Sequence, residues 1–269
     1  MTESQTPPLP EAPPARSGKD RRRTRAVLRW AAVVAVFALT GTGTAYGISR
    51  ADRADLPGLA TRTDGRWEYP ALVRPPLPSG SPGPLAAANK AGRHYADLRA
   101  LRLPAPKNAT ADKTLSGTDG WLPVKDFLAQ YDASGRGELG QALTDAGLRH
   151  VTSRGWTTPD GTRTRIDLLQ FNTAEVAEGS ESVFVSYDGP RHPLRGGPAF
   201  EPEGFPEAAR LDRVWLAAFA EAKPYGKEQT RVAYASAGDT VAMVTQSRPG
   251  GAAAVPFWQT VTLQSELLA

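Results

Sequence analysis

The residues best placed to do chemistry are Gly135-Arg136-Gly137-Glu138-Leu139-Gly140, the three histidines and a scatter of serines. The glycine spacing matches G-x-G-x-x-G, which in a dinucleotide-binding fold brings a pyrophosphate against a helix N-terminus. That chemistry needs a buried strand just before the glycines. Asp126 to Tyr131 reads as helical instead, so the segment is expected to be a helix-breaking turn. Overlapping it, Asp132-Ala133-Ser134-Gly135-Arg136-Gly137 begins like a calcium loop, with oxygen-bearing side chains at its first and third positions and Gly137 at its sixth. Arg136 then places a cation at the fifth position, and Leu143 stands at the twelfth, where a bidentate carboxylate is required.

His94, His150 and His192 stand singly, none with a partner at a helical or strand spacing that makes a metal site. Ser134, Ser153, Ser180 and Ser236 lie in no G-x-S-x-G setting, so the nucleophile elbow of serine hydrolases is absent. Thiolate chemistry, disulfides and Cys-ligated metals are excluded because the chain has no cysteine. Trp121, Trp156, Phe171, Trp215, Phe219 and Trp258 each fall in an expected helix or strand and are assigned to core packing. No catalytic, cofactor-binding or metal-binding residue is therefore named from the sequence.

Charge narrows the function classes further. Residues 1 to 30 carry seven basic and three acidic side chains, an excess of four that accounts for the whole net charge of +4. The remaining 239 residues are balanced and have no surplus with which to neutralise phosphates, which excludes a nucleic-acid partner.

The elements that must position any site begin after a long lead. Residues 1–25, with five prolines and the Arg21-Arg22-Arg23 run, are expected to be a disordered basic cytoplasmic tail. Residues 26–48 read as one transmembrane helix: 23 residues at ~1.5 Å rise reach about 34 Å, against a hydrocarbon core of roughly 30 Å. Arg29 and Trp30 suit the cytoplasmic interface, and the arginines ahead of the span set the N-terminus inside. The competing reading is a cleaved signal peptide with small residues at Ala45-Tyr46-Gly47. Residues 49–84 are Pro/Gly-rich and are expected to form an extended stalk, in which Trp67, Tyr69, Leu72 and Val73 make an apolar island suited to docking on the domain edge.

Residues 85–269 are expected to form an extracytoplasmic α+β domain, an antiparallel sheet with packed helices whose compact core is 115–269. Helices are expected at 85–101, at 121–131 and across Leu139 to Leu148. Strands are expected at 150–158 and 163–171, joined by Pro159-Asp160-Gly161, followed by a helix at 173–187 that the Val-Phe-Val run could also make a strand. A loop at 188–206, strands at 211–219, 231–237 and 240–246, and a helix at 252–268 complete the domain. The sequence strand, Gly/Asp turn, strand, helix occurs around Gly161 and again around Gly238, hinting at duplication.

This order of elements, with its hairpin turns and Ala/Gly/Pro/Arg-rich composition, is similar over residues 115–269 to extracytoplasmic α+β domains of actinobacterial membrane proteins and lipoproteins, including kinase sensor domains. The resemblance carries no signature motif and transfers no functional residue. What it implies is a sensor-type domain outside the cell. The stalk, the neutral domain and the lack of catalytic signatures lead to the expectation of a non-enzymatic, membrane-anchored domain that binds a small ligand, a peptide or an envelope partner. Two alternatives stay open: a membrane-tethered hydrolase assembled from distant residues, and a structural subunit of an envelope complex.

Overall fold

The computed structural model describes residue 23, residues 25–35, residue 38, residues 64–179 and residues 181–269. Two compact units, Met1–Arg62 and Thr63–Ala269, divide the chain. In the first, residues 25–35 are helical, with Val27, Leu28, Trp30 and Val34 exposed. No helix among the described residues is long and apolar enough to cross a membrane. The expected tail lies almost wholly outside the described residues, as do most of the 36–48 part of the span and residues 49–63 of the stalk.

The second unit is an α+β fold built on a seven-stranded antiparallel sheet in the order β1-β2-β3-β7-β6-β5-β4. Its strands are β1 (Thr110–Ala111), β2 (His150–Thr157), β3 (Arg163–Gln170), β4 (Phe200–Pro202), β5 (Trp215–Glu221), β6 (Glu228–Ala237) and β7 (Thr240–Pro249). Its helices are α1 (Val124–Leu128), α2 (Arg136–Asp145), α3 (Ala174–Gly179), α4 (Glu181–Phe184) and α5 (Ala254–Leu268). The two anticipated hairpins sit side by side at the centre, because β3 pairs with β7 from Arg163↔Ser247 to Gln170↔Thr240.

Both sheet faces are covered, so the central strands carry apolar residues on each side rather than alternating apolar with polar. On one face Ala233, Ala235, Ala242 and Val244 meet Phe257, Val261, Leu267 and Leu268 of α5. On the other, Val232, Tyr234, Val241 and Met243 meet Phe127, Leu139, Leu143, Ala177 and Phe184 of the four short helices. The buried positions of α5, Phe257, Val261, Gln264 and Leu268, recur at helical spacing and make one inward stripe. Each large apolar side chain so buried contributes ~1.5–3 kcal/mol. The preceding segment lies along the same helix: Trp67 N–H donates to Gln259 Oε1 at 2.8 Å, the Gln259 amide returns to Trp67 O at 2.9 Å, and Tyr69 Oη bonds Thr260 Oγ1 at 2.8 Å. Tyr69 and Leu72 pack on the core, whereas Val73 is exposed.

Three expectations change. Residues 85–101 are turns ending in a 3-10 helix, Leu98–Leu101, rather than one α-helix. The Asn89 side chain is committed to Gly83 O, Arg93 O and Arg93 N–H, and Gly92 takes φ +58, held by the bond from Asp239 N–H to Gly92 O. The helix over 173–187 breaks into α3 and α4, and the 188–206 loop contains β4.

One buried hydrogen-bonded pair joins these parts. Asp239, fully buried in the β6–β7 turn, accepts from His94 Nδ1 at 2.7 Å, from His94 N–H at 3.2 Å, and from the Gln170 amide at 3.2 Å. His94 Nε2 reaches Leu268 O in the last turn of α5 at 2.9 Å. Removing the imidazole leaves the buried Asp239 side chain and Leu268 O without their partner, so His94→Ala is expected to cost ~3–5 kcal/mol in urea denaturation. Lys107→Ala, which breaks the exposed pair with Glu68, should cost ~0–1 kcal/mol. Equal losses for the two variants would show that the His94 pair is not the structural joint.

Candidate functional site

Beside this joint lies a cleft of about 580 Å³, lined in part by Leu85, Lys90, Glu178, Glu181, Arg213 and Trp215. Its floor is a close backbone contact. Gly92 (φ +58) and Gly238 (φ +54) face each other so tightly that a Cβ on Gly238 would fall 2.2 Å from Gly92 O, and one on Gly92 would fall 2.4 Å from Ala174 Cβ. Only glycine meets both the left-handed backbone and the approach. Asp239 N–H donates to Gly92 O at 2.8 Å and Ala174 N–H to Ala91 O at 3.0 Å, which fixes the 84–92 segment against the turn and the start of α3.

The polar groups of the cleft come from separate segments. Lys90 arrives on the turn after Pro84, Glu178 and Glu181 on α3 and α4, and Arg213 and Trp215 on the run into β5. None of these four charged side chains forms an ion pair within 4 Å or a side-chain hydrogen bond among the described residues. Burial, reinforced by the neighbouring Glu178 charge, pushes the Glu181 carboxyl up to about 7. Arg213 sits at φ +65 in the turn closed by Val214 N–H to Leu211 O, a position that suits glycine. One strained residue, Arg213, and unpaired charges of both signs thus gather in one depression. The arrangement offers charges of both signs beside an indole, which suits recognition of a small ligand bearing both a cation and an anion.

The residues singled out in the sequence fall elsewhere. Gly135 precedes α2, and Gly137 and Gly140 lie within it, with α1 rather than a strand upstream. Among the described residues no group of three metal-ligating side chains is present. The histidines do not converge. His94 is held by Asp239 and Leu268 O, His150 stacks on Trp121 with centroids 4.7 Å apart, and His192 packs edge-on to Tyr131 at 6.5 Å. The Ser153 hydroxyl donates to Asp167, which is fully buried and also accepts from Arg165 and Gln130, so this serine faces a saturated carboxylate and no imidazole. Trp156 and Phe171 are buried core residues, whereas Trp215 lines the cleft. Lys90, Glu178, Glu181 and Arg213 escaped the sequence reading. They belong to no motif, and Arg213, directly after Asp212, carries no local signal of its own.

No protein family matches the sequence, and neither does any curated protein. Among solved structures, the extracellular domain of PknH from Mycobacterium tuberculosis is similar at 9% identity and a TM-score of 0.32, over 59% of this chain and 77% of that one. Agreement that loose places the chain in no family, and the cleft stands on its own residues.

Two outcomes follow from the cleft. Glu181 is protonated more readily when folded, so its stabilising contribution is complete below the ordinary carboxyl range near 4.5 and is lost as pH rises through about 7. Glu181→Gln should therefore leave stability at pH 4 unchanged and raise it at pH 8 by on the order of 1 kcal/mol after solvent screening, about 2–4 °C in Tm. A variant with the same pH profile as the parent would remove Glu181 from this role. Arg213→Gly relieves ~1 kcal/mol of backbone strain, offset by the chain entropy of glycine, so thermal unfolding should show no loss of stability. A drop of several degrees would mean that the Arg213 side chain is structural.

Proposed function

We propose that this chain is a membrane-anchored protein whose α+β domain lies outside the cytoplasm and works by binding rather than by catalysis, with the cleft around Glu181 as its ligand site. The observation that carries the reading is the convergence of four unpaired charges, two of each sign, beside Trp215 in a space of about 580 Å³. That volume matches sites for small molecules. A zwitterion such as a free amino acid or a short peptide would set its ammonium against Glu178 and Glu181, its carboxylate against Lys90 and Arg213, and its apolar part against Trp215 and Leu85. The cytoplasmic placement of the N-terminus rests on the arginines before residue 30 and the apolar run after it. A charge-balanced domain agrees with a partner other than nucleic acid.

Calorimetric titration of the full-length chain with a panel of free amino acids and dipeptides tests the site. At least one should bind saturably, with affinity weakened about tenfold or more by Arg213→Gly, equivalent to ~1.4 kcal/mol. Absence of saturable binding across the panel, or binding indifferent to Arg213 and Glu181 substitutions, would reject the cleft. Placement is tested separately by alkaline phosphatase fused after Ala269, which should be active; an inactive fusion alongside an active cytoplasmic reporter would reverse the orientation.

A further inference from the structure

A second depression, about 600 Å³ in volume, lies at the outer edge of β2, away from every residue lining the Glu181 cleft. Arg102 and Arg154 form a reciprocal clasp there. Arg102 Nη1 donates to Ser153 O at 2.8 Å and its Nε to Arg99 O at 2.8 Å, while Arg154 Nη1 donates to Arg102 O at 3.0 Å and Leu103 O at 3.2 Å. The carbonyls fix both guanidinium planes but carry no full negative charge. Neither arginine has a carboxylate within 4 Å among the described residues, although both are half-buried and close enough to repel one another. Burial, and for Arg102 then the neighbouring Arg154 charge, holds both guanidiniums below their usual range.

Two half-buried cations facing one space with no carboxylate in contact are costly to maintain, and an anion entering that space would relieve the cost. Lys113, with no ion pair of its own among the described residues, adds a third cation to the lining. Asp112 and Asp119 also line it. The Asp112 carboxylate is occupied by Thr114 N–H at 2.9 Å and the Thr114 hydroxyl at 2.6 Å, and Asp119 makes no side-chain hydrogen bond to a described residue. Nearby, Arg99 is paired with Asp97 at 2.7 Å and is not free to serve. Arg102 Nη2 and Arg154 Nε and Nη2 make no hydrogen bond to a described residue, which leaves planar donors of the kind that take oxyanions.

We infer that this depression is an oxyanion site for a small phosphate- or carboxylate-bearing molecule, held by Arg102 and Arg154 with Lys113 at its rim. The walls from Pro104, Ala105 and Ala111 give the remainder of the ligand an uncharged surface. The site shares no residue with the Glu181 cleft and does not depend on the reading given to that cleft.

The test is titration of the full-length chain with inorganic phosphate and, in a separate arm, succinate, each against chloride at matched ionic strength. Saturable millimolar binding of one or both is expected, and the stronger arm identifies the anion class. Because arginine variants could loosen the β2 edge, the diagnostic substitutions are peripheral. Lys113→Gln should weaken binding about two- to fivefold, whereas Asp119→Asn, at φ +52 where asparagine is well tolerated, should tighten it by a similar factor. Lys227→Gln, at an exposed lysine that lines neither depression, should leave it unchanged. Binding of neither anion, or binding indifferent to both the Lys113 and the Asp119 substitution, would overturn the inference.

Discussion

A carboxylate turned into the interior at a hairpin turn constrains nearly everything around it. Asp239 has no access to water, so each of its acceptor sites must be met by protein. The donors come from three directions: His94 on the N-terminal segment, Gln170 at the end of β3, and the adjacent Thr240 hydroxyl. Its backbone serves the same function, taking Gly92 O through its N–H and Phe171 N–H through its carbonyl. His94 extends the chain of bonds to the carbonyl of Leu268, which the final turn of α5 leaves without an intrahelical donor. Segments more than 140 residues apart in sequence are thus held by one buried His94–Asp239 contact. The Gly92–Gly238 floor of the cleft follows directly from that attachment.

The sheet answers a second demand, that both faces be covered by helices of very different size. Alanines at 233, 235 and 242 keep one face shallow, so the long helix α5 can lie close over β6 and β7. The opposite face carries Tyr131 and Tyr234, whose hydroxyls lie 3.5 Å apart beneath four short helices. Burial raises both phenols above their usual range and keeps them neutral. The large rings fill space that short helices leave open.

Legibility in the sequence followed the range of the interactions. Pro159-Asp160-Gly161 and Gly238-Asp239 mark their hairpins because turn chemistry is local, and the apolar stripe of α5 marks the helix because its period is local. The segment from Leu85 to Leu101 has helical apolar spacing, yet Asn89 and Gly92 divert it, since a tertiary bond from Asp239 selects the left-handed turn. The long aromatic residues divide in the same way: Trp156 and Phe171 are core, whereas the role of Trp215 depends on what α3 and the 84–92 turn leave open beside it. Neither depression is visible in the sequence, because the members of each come from widely spaced segments and share no motif. His150, Ser153 and the glycines of 135–140 look chemical in sequence and are absorbed by stacking, a saturated carboxylate and a helix start.

The two outermost strands are two and three residues long, and β4 ends on a proline. Beyond the short β1, the carbonyls of Ser153 and Val151 on the edge of β2 are already taken, one by the Arg102 side chain and one by Leu122 N–H. A sheet finished in this way offers an extended chain almost no row of free backbone groups to pair with. Strand addition, by which many domains capture peptides and by which exposed edges nucleate aggregates, is therefore closed to this fold. The domain can be crowded against copies of itself without the sheet of one copy growing into that of the next.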